Sequence, residues 1–269
     1  MALPLALSVA GAAAAGSYLN ARFSLEHDAL FFKIAGGSVI NIIRAIRTDK
    51  INFFYFLEKY ATDPAWANRP FVLFQDRAHT YAETYQTVLK YGHWLKTVHG
   101  IQRKDIVALN CQNSDTFIFA WFGLWSIGAT PAFINHHLTT KPLVHSLRTS
   151  TASLALVDPA VAESITHEVR DEVPELEFVF LTPELRAEIV DKTEPVRYAD
   201  RERSEPSYVG MAILIYTSGT TGMPKPAIVS WAKIYTAVHL CGKGCELTKD
   251  DVFYTVSDGH GGEMVGGEK

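Results

Sequence analysis

The amino-acid sequence predicts an α/β fold in which helices cover a mostly parallel sheet, preceded by a hydrophobic N-terminal helix. From about Phe53 to Val256, short apolar runs alternate with longer segments of helical periodicity, and parallel strands need such helical crossovers to connect them. The segment Met1–Leu19 contains no charged side chain. With 48% hydrophobic and 20% charged residues, the chain has the composition of a folded protein.

The individual elements follow from local patterns. Five apolar runs predict strands: Phe71–Phe74, Asp105–Leu109, Pro131–Ile134, Leu154–Val157 and Phe178–Leu181. Helices are predicted from the Thr80–Glu83 capping box, at Phe117–Trp125 after Asn113 or Ser114 and before Gly128, from Thr140, at Pro159–Val173, from Thr182-Pro183, and from Ser230 to about Leu240. Asp191–Pro206 is charged and proline-punctuated, which predicts a surface connection, and Asp251–Val256 predicts a last strand.

Length, charge and cysteine content restrict the function classes. A chain of 269 residues buries a substantial core in one large or two small domains. Its formal net charge of −4 gives no electrostatic basis for binding nucleic acid. Cys111, Cys241 and Cys245 are too few and too scattered for a disulfide framework, which favours a reducing compartment. A zinc site of His239, Cys241, Cys245 and His260 matches no familiar zinc module, and incidental placement is the preferred interpretation.

The N-terminal segment Met1–Leu19 has nearly the roughly 20 residues that cross a bilayer. Three interpretations compete: a membrane anchor, a secretory signal and a hydrophobic helix buried in the protein. The basic start of a secretory signal is missing. We therefore expect membrane association without assigning a topology.

A second apolar stretch, Ala29–Ile43, is interrupted by Lys33 and Gly36-Gly37 and followed by basic residues within 44–50. Its larger apolar side chains fit an amphipathic helix that lies in a membrane interface, although the glycine pair weakens a helix there. These side chains are Phe31, Ile34, Val39 and Ile43.

The most specific feature is the segment Tyr216–Lys225, which follows the apolar run Ile213–Ile215. It combines hydroxyl side chains, two glycines and a lysine. Glycines let backbone N–H groups approach a polyphosphate, while hydroxyls and the lysine donate further hydrogen bonds. The spacing is not that of a Walker A loop, and prolines on both sides of Lys225 disfavour the helix that such a loop opens. The alternative is a plain surface hairpin; in either case the loop joins two strands.

Tyr216–Gly222 followed by Pro224-Lys225 resembles the phosphate loop of the adenylate-forming superfamily, which includes acyl-CoA synthetases, luciferases and adenylation domains. Trp121–Asn135 and Pro226–Val229 are similar to its branch of very-long-chain acyl-CoA synthetases and fatty-acid transport proteins. The resemblance implies that the chain forms the N-terminal portion of the large domain of such an enzyme. That branch also has a hydrophobic anchor before the enzyme body.

The resemblance implies ATP-dependent activation of a long- or very-long-chain fatty acid. The carboxylate attacks the α-phosphate of Mg-ATP to give acyl-adenylate and pyrophosphate, and the thiol of coenzyme A then displaces AMP. ATP, Mg²⁺ and coenzyme A are the implied cofactors and co-substrates. The residues expected to bind the β- and γ-phosphates are Thr217, Ser218, Gly219, Thr220, Thr221, Gly222 and Lys225. Tyr216 is expected to pack at the strand end, and His136-His137 either approaches the substrate or forms a surface loop.

Other segments that the superfamily uses are absent from the sequence. These are the Tyr-Gly-Thr-Glu-like segment for adenine and magnesium, the Tyr-Gly-Asp-like segment for ribose, and the lid with its catalytic lysine. Catalytic residues and metal ligands therefore stay unassigned. Residues 257–269 form a glycine-rich tail where the family has a Pro-Leu-Tyr-His segment.

From these observations we expect a membrane-associated segment at 1–50, a partial AMP-binding domain at 51–256 and an atypical tail at 257–269. We expect a truncated form without detectable ligase turnover. The alternatives are a non-catalytic, membrane-tethered protein for fatty-acid uptake or binding, and a non-functional product. The expected location is a membrane of the endoplasmic reticulum, peroxisome, lipid droplet or cell surface, with the catalytic body in a reducing compartment.

Overall fold

A six-stranded sheet organises the chain in the computed structural model, which describes residues 2–217 and 223–254. The strands are β1 (Pro70–Phe74), β2 (Arg77–Thr80), β3 (Ile106–Asn110), β4 (Thr130–Phe133), β5 (Leu154–Val157), β6 (Glu177–Phe180), β7 (Met211–Thr217) and β8 (Lys225–Ser230). The sheet has the order β6-β5-β3-β4-β7-β8, and all its neighbours are parallel except the β7–β8 pair. β1 and β2 form a separate antiparallel hairpin. The predicted α/β fold with a mostly parallel sheet is confirmed.

Helices connect the strands and precede them. They are α1 (Ala2–Phe23), α2 (Leu25–Arg47), α3 (Phe54–Thr62), α4 (Tyr81–Val98), α5 (Asp115–Ser126), α6 (Thr140–Ser150), α7 (His167–Glu172), α8 (Pro183–Lys192) and α9 (Trp231–Gly244). The Thr80–Glu83 capping box is present, and Ser114 caps α5 by accepting the N–H of Phe117 at 3.1 Å. Within the described residues, no helix combines the length and the apolarity needed to cross a membrane.

Helices cover both faces of the sheet, and successive side chains of a strand point to opposite faces. Neighbouring residues of one strand therefore belong to different core layers. Val107 and Leu109 of β3 belong to a core layer with residues of α4, α5 and α8. Ala108, between them, belongs to a second layer with residues of α6 and α7. This arrangement explains why the central strands read as continuous apolar runs.

The predicted helix Pro159–Val173 is divided in the structure. A 3₁₀ segment covers Pro159–Ser164, and α7 then begins after Thr166. The Thr166 hydroxyl accepts the N–H of Val169 at 3.3 Å, so it acts as an N-cap and starts a new helix.

The predicted strand Asp251–Val256 is wrong for residues 251–254, which form no strand; residues 255 and 256 lie outside the described part of the chain. The carboxylate of Asp251 instead accepts both the N–H and the hydroxyl of Thr248, at 2.6 and 2.9 Å. Strand propensity alone gives no strand where the backbone has no ladder partner. Phe253 and Tyr254 are exposed as a result.

The chain divides into two compact units. One comprises Met1–Arg44 with Lys233–Val252 and contains α1 together with most of α2 and α9. The other comprises Ala45–Ala232 with Phe253–Lys269 and contains both sheets.

Acid is expected to weaken the second unit through Glu58 on α3. Burial raises the pKa of this carboxyl, but hydrogen bonds from Arg197 (2.7 and 3.1 Å) and from the hydroxyl of Tyr85 (2.9 Å) outweigh it, and the net pKa is lowered. A carboxyl with a lowered pKa stabilises the fold above its unfolded pKa of about 4.3, and this stability is lost as the pH falls through the folded pKa.

Urea unfolding at about pH 7 and about pH 3.5 checks this. The unmodified chain is expected to lose unfolding free energy between about pH 7 and about pH 3.5. The Glu58→Gln variant is expected to lose roughly 1 kcal/mol less over the same interval. Glu188→Gln is the matched control, because the ion pair of Glu188 with Lys192 at 3.1 Å is exposed. Equal pH dependence of the Glu58→Gln protein and the unmodified chain would contradict the assignment.

Candidate functional site

The β7–β8 hairpin carries the two ends of the segment singled out in the sequence. Thr217 ends β7 and pairs with Lys225, which begins β8, and the Thr217 hydroxyl donates to the Lys225 carbonyl at 3.4 Å. Both residues are exposed, whereas Pro224 is buried. The prediction that this loop joins two strands is confirmed. Five of the predicted phosphate-binding residues lie outside the described residues: Ser218, Gly219, Thr220, Thr221 and Gly222.

Tyr216, the residue before Thr217, is held by helix α6. Its hydroxyl donates to the carbonyl of Ser146 at 2.7 Å and lies 3.2 Å from the hydroxyl of Thr149. Burial raises the pKa of Tyr216, which keeps the phenol protonated. Tyr216 therefore fastens the end of β7 to the helix layer, in agreement with the packing role expected from the sequence.

The hairpin loop starts from the carboxyl edge of the sheet. β4 and β7 are parallel neighbours paired through Ala132 and Leu214, so their carboxyl ends lie at the same edge. In open α/β sheets this edge is where ligands bind. The loop after β4 contains Asn135, whose side chain accepts the backbone N–H of His137 at 2.9 Å. The rings of His136 and His137 lie 4.1 Å apart, and the structure places this pair on a loop at that edge.

Two further polar residues at this edge were not singled out from the sequence. Asn110 ends β3 fully buried, and neither polar atom of its amide has a partner within residues 2–217 and 223–254. Asp158 follows β5, accepts the N–H of Ala160 at 3.0 Å and lies 3.6 Å from the guanidinium of Arg186. β3 and β5 flank the point where the strand order reverses. Polar residues directly after apolar strand runs were the signal that could have identified Asn110 and Asp158.

Of the three cysteines, Cys111 is buried and the other two are exposed. Burial raises the pKa of Cys111 to about 12, so its thiol stays protonated. Cys241 and Cys245 are exposed and unpaired. The His239 ring accepts a hydrogen bond from the Asn41 amide at 2.7 Å. No group of three or more potential metal ligands occurs in the part of the chain that the structure describes, and His260 lies outside that part.

Comparison with known sequences places most of the chain in one family. The model of the family "AMP-binding enzyme" matches residues 58–264. The very long-chain fatty acid transport protein of Saccharomyces cerevisiae is 35% identical over 189 residues, which are 68% of this chain and 28% of that protein. Among eight such curated relatives, the share of their own length that the chain spans runs from 21% to 39%.

Solved structures share the fold at low sequence identity. A benzoate CoA ligase from Burkholderia xenovorans LB400 superposes with a TM-score of 0.59 at 20% identity, over 70% of this chain and 36% of that one. The O-succinylbenzoate coenzyme A synthetase of Bacillus subtilis in complex with ATP and magnesium ion also gives 0.59, at 18% identity over 72% and 48%. Both likenesses confirm the α/β architecture of the chain.

Proposed function

Because this chain belongs to the family of AMP-binding enzymes, we propose that it takes part in the ATP-dependent activation of a long- or very-long-chain fatty acid to its acyl-CoA through an acyl-adenylate. The observation that supports this most directly is the segment Tyr216–Lys225, which combines hydroxyl, glycine and lysine residues. It follows the carboxyl end of a buried strand that is parallel to its neighbour β4. The fatty-acid substrate is supported by the name of the Saccharomyces cerevisiae relative.

In the proposed reaction the loop holds the β- and γ-phosphates while the fatty-acid carboxylate attacks the α-phosphate. Thr217 and Lys225 stand exposed on the two strands that begin and end the loop. The Lys225 ammonium neutralises charge on the pyrophosphate that leaves, and hydroxyl and backbone N–H groups of 217–222 donate hydrogen bonds to it. Mg²⁺, when bound with ATP, supplies further charge neutralisation. Coenzyme A is the proposed acceptor of the acyl group.

We extend the proposal to location. The catalytic body would work in a reducing compartment at the surface of an internal or cell-surface membrane. The alternative of a non-catalytic, membrane-tethered fatty-acid binding protein has no observation of its own in the described residues. It predicts fatty-acid binding that ATP does not affect.

Lys225→Ala is expected to weaken binding of ATP and of pyrophosphate to the whole chain by about tenfold or more, since a charge-assisted hydrogen bond to phosphate is lost. Isothermal titration calorimetry with Mg-ATP and with pyrophosphate measures the effect without requiring turnover. Lys192→Ala is the matched control, because Lys192 is an exposed lysine on α8 that forms an ion pair with Glu188 at 3.1 Å. Equal losses in the two variants would show general charge attraction and refute the phosphate site at Lys225.

A further inference from the structure

Helix α2 carries exposed apolar side chains along one face. Phe32 and Ile40 are 71% and 67% exposed, and Val39 and Ile43 are exposed beside them. Val39, Ile40 and Ile43 follow Phe32 by 7, 8 and 11 positions, and these spacings return to nearly the same side of an α-helix. Single exposed apolar side chains are ordinary, but a continuous row of them marks a surface for an apolar partner.

The opposite face of α2 is already occupied within the same unit of the chain. Ile34 and Ser38 are buried, and the Ser38 hydroxyl donates to the hydroxyl of Thr236 on α9 at 3.4 Å. The Asn41 amide donates to the His239 ring, also on α9, at 2.7 Å. These contacts determine which side of α2 faces outward. They also correct the prediction of which side chains form the exposed apolar face of α2. Ile34 was predicted there but points toward the protein, whereas Phe32 and Ile40 are exposed.

The glycine pair does not interrupt the helix. Gly36 and Gly37 lie inside the continuous helix α2, and a Cβ at either position would have open space around it. Two interior glycines cost roughly 1 kcal/mol each relative to alanine, and contacts with α9 offset such a cost. The helix that carries these apolar side chains therefore runs without a break from Phe32 to Ile43.

Basic side chains border this face on one side. Lys33 and Arg44 are exposed and lie 11 positions apart, so they form a row along the helix. Asp28 lies one turn before Phe32 and marks the end of the apolar region. A helix with an apolar face, a bordering basic row and an occupied polar side fits the boundary between acyl chains and anionic headgroups. That charge pattern selects a lipid surface over an uncharged protein groove.

We propose that α2 docks in the plane of an anionic lipid surface, with Phe32, Val39, Ile40 and Ile43 among the acyl chains and the basic row on the headgroup phosphates. This deepens the proposed membrane location and rests on it, but it is independent of nucleotide binding.

Vesicle flotation of the whole chain tests the proposal, with phosphatidylcholine vesicles and with vesicles containing about 30% phosphatidylserine. We expect preferential binding to the anionic vesicles, weakened by salt. Phe32→Ser with Ile40→Ser is expected to reduce that binding at least tenfold. Lys33→Glu with Arg44→Glu is expected to abolish the preference for anionic vesicles. Residual binding to neutral vesicles is assigned to α1 in all variants. Unchanged anionic binding in the first double variant would overturn the proposal.

Val98→Ser with Leu73→Ser is the matched control, because both side chains are exposed and apolar but lie in the other unit. It is expected to bind vesicles like the unmodified chain, and an equal loss of binding would overturn the proposal.

As a second measurement, the fluorescence of the tryptophan in Ile40→Trp is expected to be quenched by brominated acyl chains. If Phe32→Ser with Ile40→Ser instead converts a dimer to a monomer without altering lipid binding, the face belongs to a second copy. Calorimetry with Mg-ATP on the Phe32→Ser, Ile40→Ser protein separates this proposal from the phosphate site, since nucleotide binding is expected to persist.

Discussion

Gly128→Ala is expected to lower the free energy of unfolding by about 3 kcal/mol or more, or to prevent folding. Gly128 has φ = +76°, a left-handed conformation that costs a residue with a Cβ about 1–2 kcal/mol. A Cβ at this position would also lie 1.9 Å from the carbonyl oxygen of Glu202, a backbone atom that has little freedom to move. Urea unfolding of the variant and of the unmodified chain measures the loss.

Gly100→Ala separates the two causes. Gly100 has φ = +67° but nothing within 4 Å of the position of a Cβ, so this variant is expected to lose only about 1 kcal/mol. The additional loss of unfolding free energy in Gly128→Ala then measures the cost of placing a Cβ close to the Glu202 carbonyl. Equal losses in the two glycine variants would show that this approach does not constrain the fold.

Arg203→Ala is expected to cost about 3–5 kcal/mol of unfolding free energy, because it leaves buried hydrogen-bonding groups without a partner. The Arg203 guanidinium is buried, donates to the carbonyls of Ser126 and Tyr198 at 2.5 and 2.9 Å, and lies 3.1 Å from the carboxylate of Asp200. It also stacks over the ring of Phe54 at 4.6 Å. Thermal and urea unfolding are the measurements.

Arg201→Ala is the control from the same segment. The Arg201 side chain is 86% exposed and lies 3.9 Å from the carboxylate of Glu202, so its removal is expected to change stability by less than about 0.5 kcal/mol. If the two arginine variants unfolded at the same urea concentration, the buried role of Arg203 would be wrong.

Gly128 and Arg203 both contribute to the contact between the end of helix α5 and the connection Asp191–Pro206. Arg203 binds the carbonyl of Ser126, the last residue of α5, and Gly128 packs against the neighbouring Glu202. A guanidinium at a helix C-terminus satisfies carbonyls that have no partner within the helix. The connection Asp191–Pro206 is therefore fastened under α5 before the chain enters β7, and it is only partly the surface segment that its charge and prolines predict. This attachment helps to determine where the β7–β8 hairpin begins.

Local signals account for what could be predicted. The capping box at Thr80 and Glu83 and the cap at Ser114 depend on residues three positions apart, and the sequence contains both partners. Apolar runs identify β3 to β7 because strands buried on both faces need apolar side chains throughout. The segment Tyr216–Lys225 indicates the family because it combines hydroxyl, glycine and lysine residues, the types expected in a phosphate-binding loop.

The sequence by itself determined the fold class, the order of strands β1 and β3 to β8, and the family resemblance of the Tyr216–Lys225 segment. The tertiary structure decided the strand order, the burial of Arg203, the absence of a strand at 251–254 and the side of α2 that faces outward. The physical reason is the distance along the chain between interacting groups. Caps and apolar periods involve residues within a few positions, whereas Arg203 with Ser126, or Ser38 with Thr236, meet only after the chain has folded.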